Sequence, residues 1–345
     1  MKKSLLFCGI LISVIAMLLS ACQSSTTETP TTTLKFSTST ASQAGPTIWI
    51  QSWIEKIETA TEGKVKIELY PDSALGPAGD HYDMASSGRV DIALCLMGLS
   101  PGRFPMSEII SLPGMVPNAV LGSRSYMGLY LKEKTVQDEM PDVKVLVLFT
   151  GDAKYIHTTN KPINTLEDMA GLRLRSTDEN LARTLQLLGA TPVLMPPGET
   201  YDSLSRGILD GVCTEFTGVT DYTMQEILKY TTKVATNSAA IAVVMNLDKW
   251  NSLSPDIREA IDSVSLDVAA KSEGEFMMNN NKNAEKVCID AGMQVIELSD
   301  SEYQRFTSAW AGQYDEWTQK WEEKGKPAEA MLDSYRQILA QFMNE

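Results

Sequence analysis

Histidine is almost missing from this sequence: His81 and His157 are the only two among 345 residues. The five cysteines show no Cys/His ligand spacing, so no metal site is expected. Basic residues are also in short supply. Lys and Arg number 30 against 44 Asp and Glu, a formal net charge of −14, and nucleic acid, which calls for a basic face, is excluded as a partner. There is no G-x-S-x-G, H-E-x-x-H, P-loop or dinucleotide fingerprint, so neither enzymatic activity nor a cofactor is expected. The rival from another class is a surface hydrolase, which would need a pair of catalytic carboxylates. Beyond Cys22 only Cys95, Cys213 and Cys288 remain, an odd number that cannot all pair within the chain. Each lies in an apolar segment, which predicts buried free thiols and no disulfide framework.

The one long apolar run near the start, Leu5 to Leu19, is too short for a membrane span. With two lysines before it and small residues after it, "MKKSLLFCGILISVIAMLLSAC" has the build of an export signal, residues 1–22. Its end, "LSAC", is similar to a lipobox, which would leave Cys22 as a lipid-bearing N-terminus. The following Ser/Thr/Pro tract cannot bury apolar surface and reads as a tether over 23–33. Loss of Lys2 and Lys3 takes the charge from −14 to −16 (−14 less 2). The expected location is extracytoplasmic, at the cell membrane.

Roughly 310 residues follow, enough for two lobes of ordinary size. "TLKFSTS", the amphipathic "PTIWIQSWIEKIETATEG", "KVKIELYP" and "VDIALCLM" alternate strand and helix signals, predicting α/β lobes with largely parallel sheets. "YDMASSGRVDI", Tyr82 to Ile92, matches "YDSLSRGILDG", Tyr201 to Gly211, about 120 residues later. That repeat points to two related lobes, 34–152 with 240–279 and 153–239 with 280–345. From Ser254 and Pro255 a helical pattern runs to Gly292, about 37 residues or 55 Å, long enough to span both lobes unless Gly274 divides it. Tyr303, Phe306, Trp310, Tyr314, Trp317 and Trp321 recur at steps of three and four, and ordinary use of such a stripe docks one helix on one lobe, here the second.

"NKPINTLEDMAGLRLRS", "LLGATPVLMPPGETYDSLSRGILDGV", "GKVKIELYPDSALG" and "SGRVDIAL" together resemble the solute-binding proteins of TRAP (tripartite ATP-independent periplasmic) transporters, over the chain from about Leu34 onward. The resemblance implies a two-lobed, periplasmic-binding-protein-like fold with a long helix across both lobes, no enzymatic role, a small organic acid as ligand and a TRAP permease as partner. It assigns the carboxylate clamp to Arg175, whose guanidinium presents a rigid fork; Arg173 reads as a solvated charge. Tyr155 stands where relatives that bind sugar acids carry a second arginine. Leu96, followed by Met97, replaces a frequent acidic residue. "CTE", Cys213 to Glu215, replaces the frequent "ENP", putting Thr214 in the asparagine's place with Phe216 next. Ser39 is expected at the end of the first strand, facing the cleft. One clamp, a few hydroxyls and apolar walls suit a monocarboxylate with an apolar or aromatic body. A receptor for a signalling partner is the alternative within the binding class.

Overall fold

The computed structural model of the protein describes residues 31–345; the export signal, Cys22 and most of the tether lie outside the described residues. In chain order the strands are β1 Thr32–Ser37, β2 Val65–Tyr70, β3 Ile92–Leu96, β4 Val143–Thr150, β5 Tyr155–Thr158, β6 Arg173–Ser176, β7 Thr191–Leu194, β8 Gly211–Thr214, β9 Tyr230–Thr232, β10 Ala240–Asn246 and β11 Gln294–Ile296. They form two sheets, β2-β1-β3-β10-β4 in the first lobe and β11-β9-β5-β8-β6-β7 in the second. Both are mixed. β10 runs antiparallel to β3 and β4, and β5 antiparallel to β8 and β9. The reason is connectivity: β5 and β10 are the strands that enter each sheet straight after the chain crosses from the other lobe, and they arrive from the opposite end.

The internal repeat has a structural counterpart. After the helices His81–Ser86 and Thr200–Ser205, Gly88 and Gly207 turn the chain with φ of 75° and 66°. Asp91 then accepts from the backbone N–H of Lys35 at 2.8 Å and returns its own N–H to the Lys35 carbonyl at 3.1 Å. Asp210 does the same with Arg173, at 2.8 and 2.8 Å. These aspartates lock β3 onto β1 and β8 onto β6 in equivalent registers. Arg173 adds two side-chain bonds to Asp210, at 2.9 and 2.8 Å, and stays exposed. Equivalence of Lys35 and Arg173 makes Ser37 the first-lobe counterpart of Arg175.

The long helical pattern is divided, but not at Gly274. Helices Pro255–Ser263 and Leu266–Asp290 are separated at Val264–Ser265, where Leu266 takes a positive φ of 53°. The second helix, 25 residues or about 37 Å, is the strut. Ala269 and Ala270 join the first lobe's core, while Ala284 and Cys288 join the second's. Gly274 stays helical because helix Ala119–Lys132 crosses there: a Cβ would lie 2.6 Å from Val120 Cα and 2.7 Å from the Ala119 oxygen.

The aromatic stripe is divided as well. Helix Asp300–Trp310 buries Phe306 and Trp310 in the second lobe, then the chain bends at Ala311–Gly312. Helix Gln313–Glu322 instead buries Trp317 and Trp321 in the first lobe, where helix Ala328–Met343 follows with Met331, Leu332, Tyr335 and Ile338. The expected allotment of 280–345 to the second lobe is thus corrected for residues 313–343. Their stripe is met by first-lobe groups, among them Glu108, whose Oε2 accepts from the indole N–H of Trp317 at 3.2 Å and Trp321 at 2.9 Å. Cys95, Cys213 and Cys288 are free and buried.

Gly274 carries a prediction. On propensity alone, Gly to Ala in a helix interior stabilises by about 1 kcal/mol. Here the clash is with backbone, so Gly274→Ala is expected to lower stability by about 1 to 3 kcal/mol in urea unfolding; an unchanged or raised midpoint would remove the close crossing from the account.

Candidate functional site

Arg175 lies on β6, whose alternation turns Leu174 into the core between sheet and helix Glu179–Leu187 and sends Arg175 to the opposite face. The side chain is 3% exposed. Its Nε–H donates to the Met195 carbonyl at 3.1 Å, which fixes the plane of the guanidinium. Among the described residues neither Nη atom has a hydrogen-bond partner and no carboxylate lies within 4.0 Å. Burial pulls its pKa below the ordinary value, and the nearby Glu215 carboxylate opposes that shift most strongly. An arginine remains protonated even so.

The fork faces a cavity of about 150 Å³ between the lobes. Thr214, Leu96 and Met97 line it together with Arg175, as do Phe104, Ile241 and Met277, so its walls are largely apolar. Three expected residues do not line it. Phe216 opens helix Phe216–Asp221 and is fully buried beneath the site, its ring 5.7 Å from Tyr155 and 5.3 Å from His157. Tyr155 packs on the same cluster, because it pairs with Thr214 in the sheet and turns toward the core under helix Phe216–Asp221. Ser39 falls between two inward hydroxyls: Thr40, not Ser39, reaches the cavity, held by Thr38 at 2.8 Å and Thr47 at 2.6 Å.

Sequence reasoning missed the other charged groups. Lys154, 1% exposed, follows the crossing from β4 and donates to the Thr177 hydroxyl at 2.8 Å, 3.9 Å from Asp178. Asp178 in turn caps helix Glu179–Leu187 through the Leu181 N–H at 2.8 Å. Glu215 also lines the cavity, packed so close to Gly151 that a Cβ there would strike its Oε1. Only the Pro-to-Glu departure in "CTE" signalled it.

The floor is held by His157. Its Nε2 lies 3.0 Å from the Thr214 carbonyl and Nδ1 2.8 Å from the Thr231 hydroxyl. Since a carbonyl only accepts, Nε2 carries the proton. Desolvation lowers this imidazole to about 4, keeping it neutral. Across the cavity the lobes are tied. Asp221 accepts from the Gly45 N–H at the start of helix Gly45–Ala60, at 3.1 Å, and Asn180 donates to the Glu108 carbonyl at 3.2 Å and to Ser111 at 3.0 Å. On the strut, Asn281 donates to Asp152 and accepts from the Thr217 N–H, each at 3.1 Å.

Two α/β lobes meeting over a largely apolar cavity lined by a cation without an ion-pair partner among the described residues have the build of a solute-binding protein. The family signature of the bacterial extracellular solute-binding proteins, family 7, matches residues 36–320, and the chain belongs to that family, the solute-binding proteins of TRAP transporters. A TRAP solute-binding protein from Rhodoferax ferrireducens T118, solved with copurified benzoate, superposes with a TM-score of 0.88 at 27% identity, covering 91% of this chain and 99% of that one. One from a marine metagenome, specific for aromatic acids and holding metahydroxyphenylacetate, gives 0.87 at 26%, covering 90% and 99%. The C4-dicarboxylate-binding periplasmic protein of Rhodobacter capsulatus is 26% identical over 238 residues, 67% of this chain and 71% of its own.

Desolvation raises Asp221 to about 6. The folded state therefore holds this proton more tightly than the unfolded chain, and the stability it contributes falls as pH rises from about 4 to about 6. Asp221→Asn keeps an oxygen for the Gly45 N–H and removes the titration. Its melting temperature is expected to decline less than that of the wild type across that window, and parallel declines would contradict the assignment.

Proposed function

We propose that the protein, anchored outside the cytoplasm through lipid on Cys22, captures a small monocarboxylate with an apolar or aromatic body between its lobes and delivers it to a TRAP permease, without chemical change to the ligand. The observation that carries this reading is Arg175: a buried guanidinium with its Nε tied to Met195 and both Nη groups open to the cavity. Buried charges are paired or hydrogen-bonded, and a carboxylate supplies both at once through two parallel N–H···O bonds. Apolar cavities of about 150 Å³ hold a benzene ring, and the relatives solved with benzoate and with a hydroxyphenylacetate support a ligand of that size. Tyr155 and Phe216 act here as buttresses under Thr214, while Leu96 and Met97 surround the ligand body.

Calorimetry with the acid that co-purifies, identified by mass spectrometry, tests the clamp. Arg175→Ala is expected to weaken binding by about 2 to 5 kcal/mol, with Arg175→Lys recovering only part of the loss because the ammonium lacks the fork. Binding unaffected by the alanine variant would end this reading. For the anchor, Cys22→Ser is expected to release the protein from membranes in cell fractionation, and equal membrane retention of variant and wild type would refute it.

A further inference from the structure

A carboxylate placed on Arg175 leaves the charges around the cavity out of balance unless the ligand also carries a group of a particular kind. Lys154 is matched inside the wall by Asp178, 3.9 Å away and bridged by Thr177, which donates to Asp178 at 2.7 Å. Arg175 is matched by the ligand's carboxylate. Glu215 is left over. Among the described residues its one hydrogen bond comes from the neighbouring Thr214 hydroxyl at 3.2 Å, and no cation lies within 4.0 Å. Its surroundings are acidic: Asp152, already bonded to Asn281, and Asp221, bonded to the Gly45 N–H, stand near enough for its charge to be felt by both.

The topology puts this carboxylate beside the clamp. Arg175 on β6 pairs with Val212 on the adjacent parallel β8, and Thr214 lies two residues further along the same face, followed at once by Glu215. Neighbouring strands are about 4.8 Å apart, so a ligand whose carboxylate sits on Arg175 has its next few atoms within reach of Glu215. A bare hydrocarbon there would leave Glu215 desolvated and unpaired, which is costly. A donor would satisfy it.

We propose that Glu215 is a specificity-determining residue that reads a hydrogen-bond donor carried close to the ligand's carboxylate, an ammonium ahead of a hydroxyl, so that the preferred solutes are amino and hydroxy acids with an apolar body. An ammonium ranks first because it also neutralises the surplus negative charge. This rests on the carboxylate clamp at Arg175 and goes further by assigning the opposite pole of the site.

Two matched triples test it by calorimetry: phenylacetate, mandelate and phenylglycine, and isovalerate, 2-hydroxyisovalerate and valine. In the wild type, the amino member of the triple that fits is expected to bind at least about tenfold more tightly than the unsubstituted acid, the scale of a hydrogen bond to a charged group, with the hydroxy member between them. Glu215→Gln is expected to collapse that ratio, tightening the unsubstituted acid as it weakens the ammonium ligand. The unsubstituted acid binding as tightly as its amino analogue, or an unaltered ranking in Glu215→Gln, overturns the role of Glu215. If binding in those cases is still lost in Arg175→Ala, the clamp survives and only the donor reading falls. Failure of all six acids to bind the wild type overturns both.

Discussion

A guanidinium taken out of water, with two of its three nitrogens left without a partner among the described residues, is the constraint around which this molecule is built. A charge in that position is costly, and a carboxylate held by two parallel N–H···O bonds would offset the cost. The surroundings serve to hold Arg175 there. Met195 fixes its plane, Leu174 anchors its strand in the core behind, and Phe216, Tyr155 and His157 make a rigid floor under Thr214. The strut, the two chain crossings near Gly151 and Asn237, and the bend at Gly312 join the lobes over the cavity.

The duplicated framework shows how one unit acquired two uses. Asp91 and Asp210 make the same reciprocal backbone contacts in their respective lobes, and two residues beyond those contacts stand Ser37 and Arg175. In the first lobe the position is small and bonded to His81 at 3.1 Å, part of a closed internal network. In the second it carries a long cation that reaches the cavity. The asymmetry of the site, one charged wall against one apolar wall of Leu96, Met97 and Phe104, follows from that difference.

Much of this was legible in the amino-acid order. Strand alternation placed Leu174 and Arg175 on opposite faces, and the repeat around Tyr82 and Tyr201 announced paired lobes. Side chains whose direction depends on tertiary pairing were not legible. Tyr155 and Phe216 sit one residue from cavity-lining neighbours, and a shift of one residue exchanges core for cleft. The same holds for Ser39 against Thr40. Lys154 and Asp178 form a contact between segments 24 positions apart that no periodicity reports, and Glu215 received no role from the sequence because the space it occupies is left by Gly151, a residue that leaves room without leaving a pattern. The aromatic stripe showed a period but not its division, since Ala311–Gly312 bends the chain between two helices of matching phase.

The claim that Arg175 clamps a carboxylate is tested most directly by a crystal structure of the protein carrying its co-purified acid. The account predicts both carboxylate oxygens about 2.7 to 2.9 Å from the two Nη atoms, with Nε still on the Met195 carbonyl. A ligand whose acid group lies elsewhere in the cleft, or a guanidinium turned onto a protein carboxylate in its presence, would contradict it.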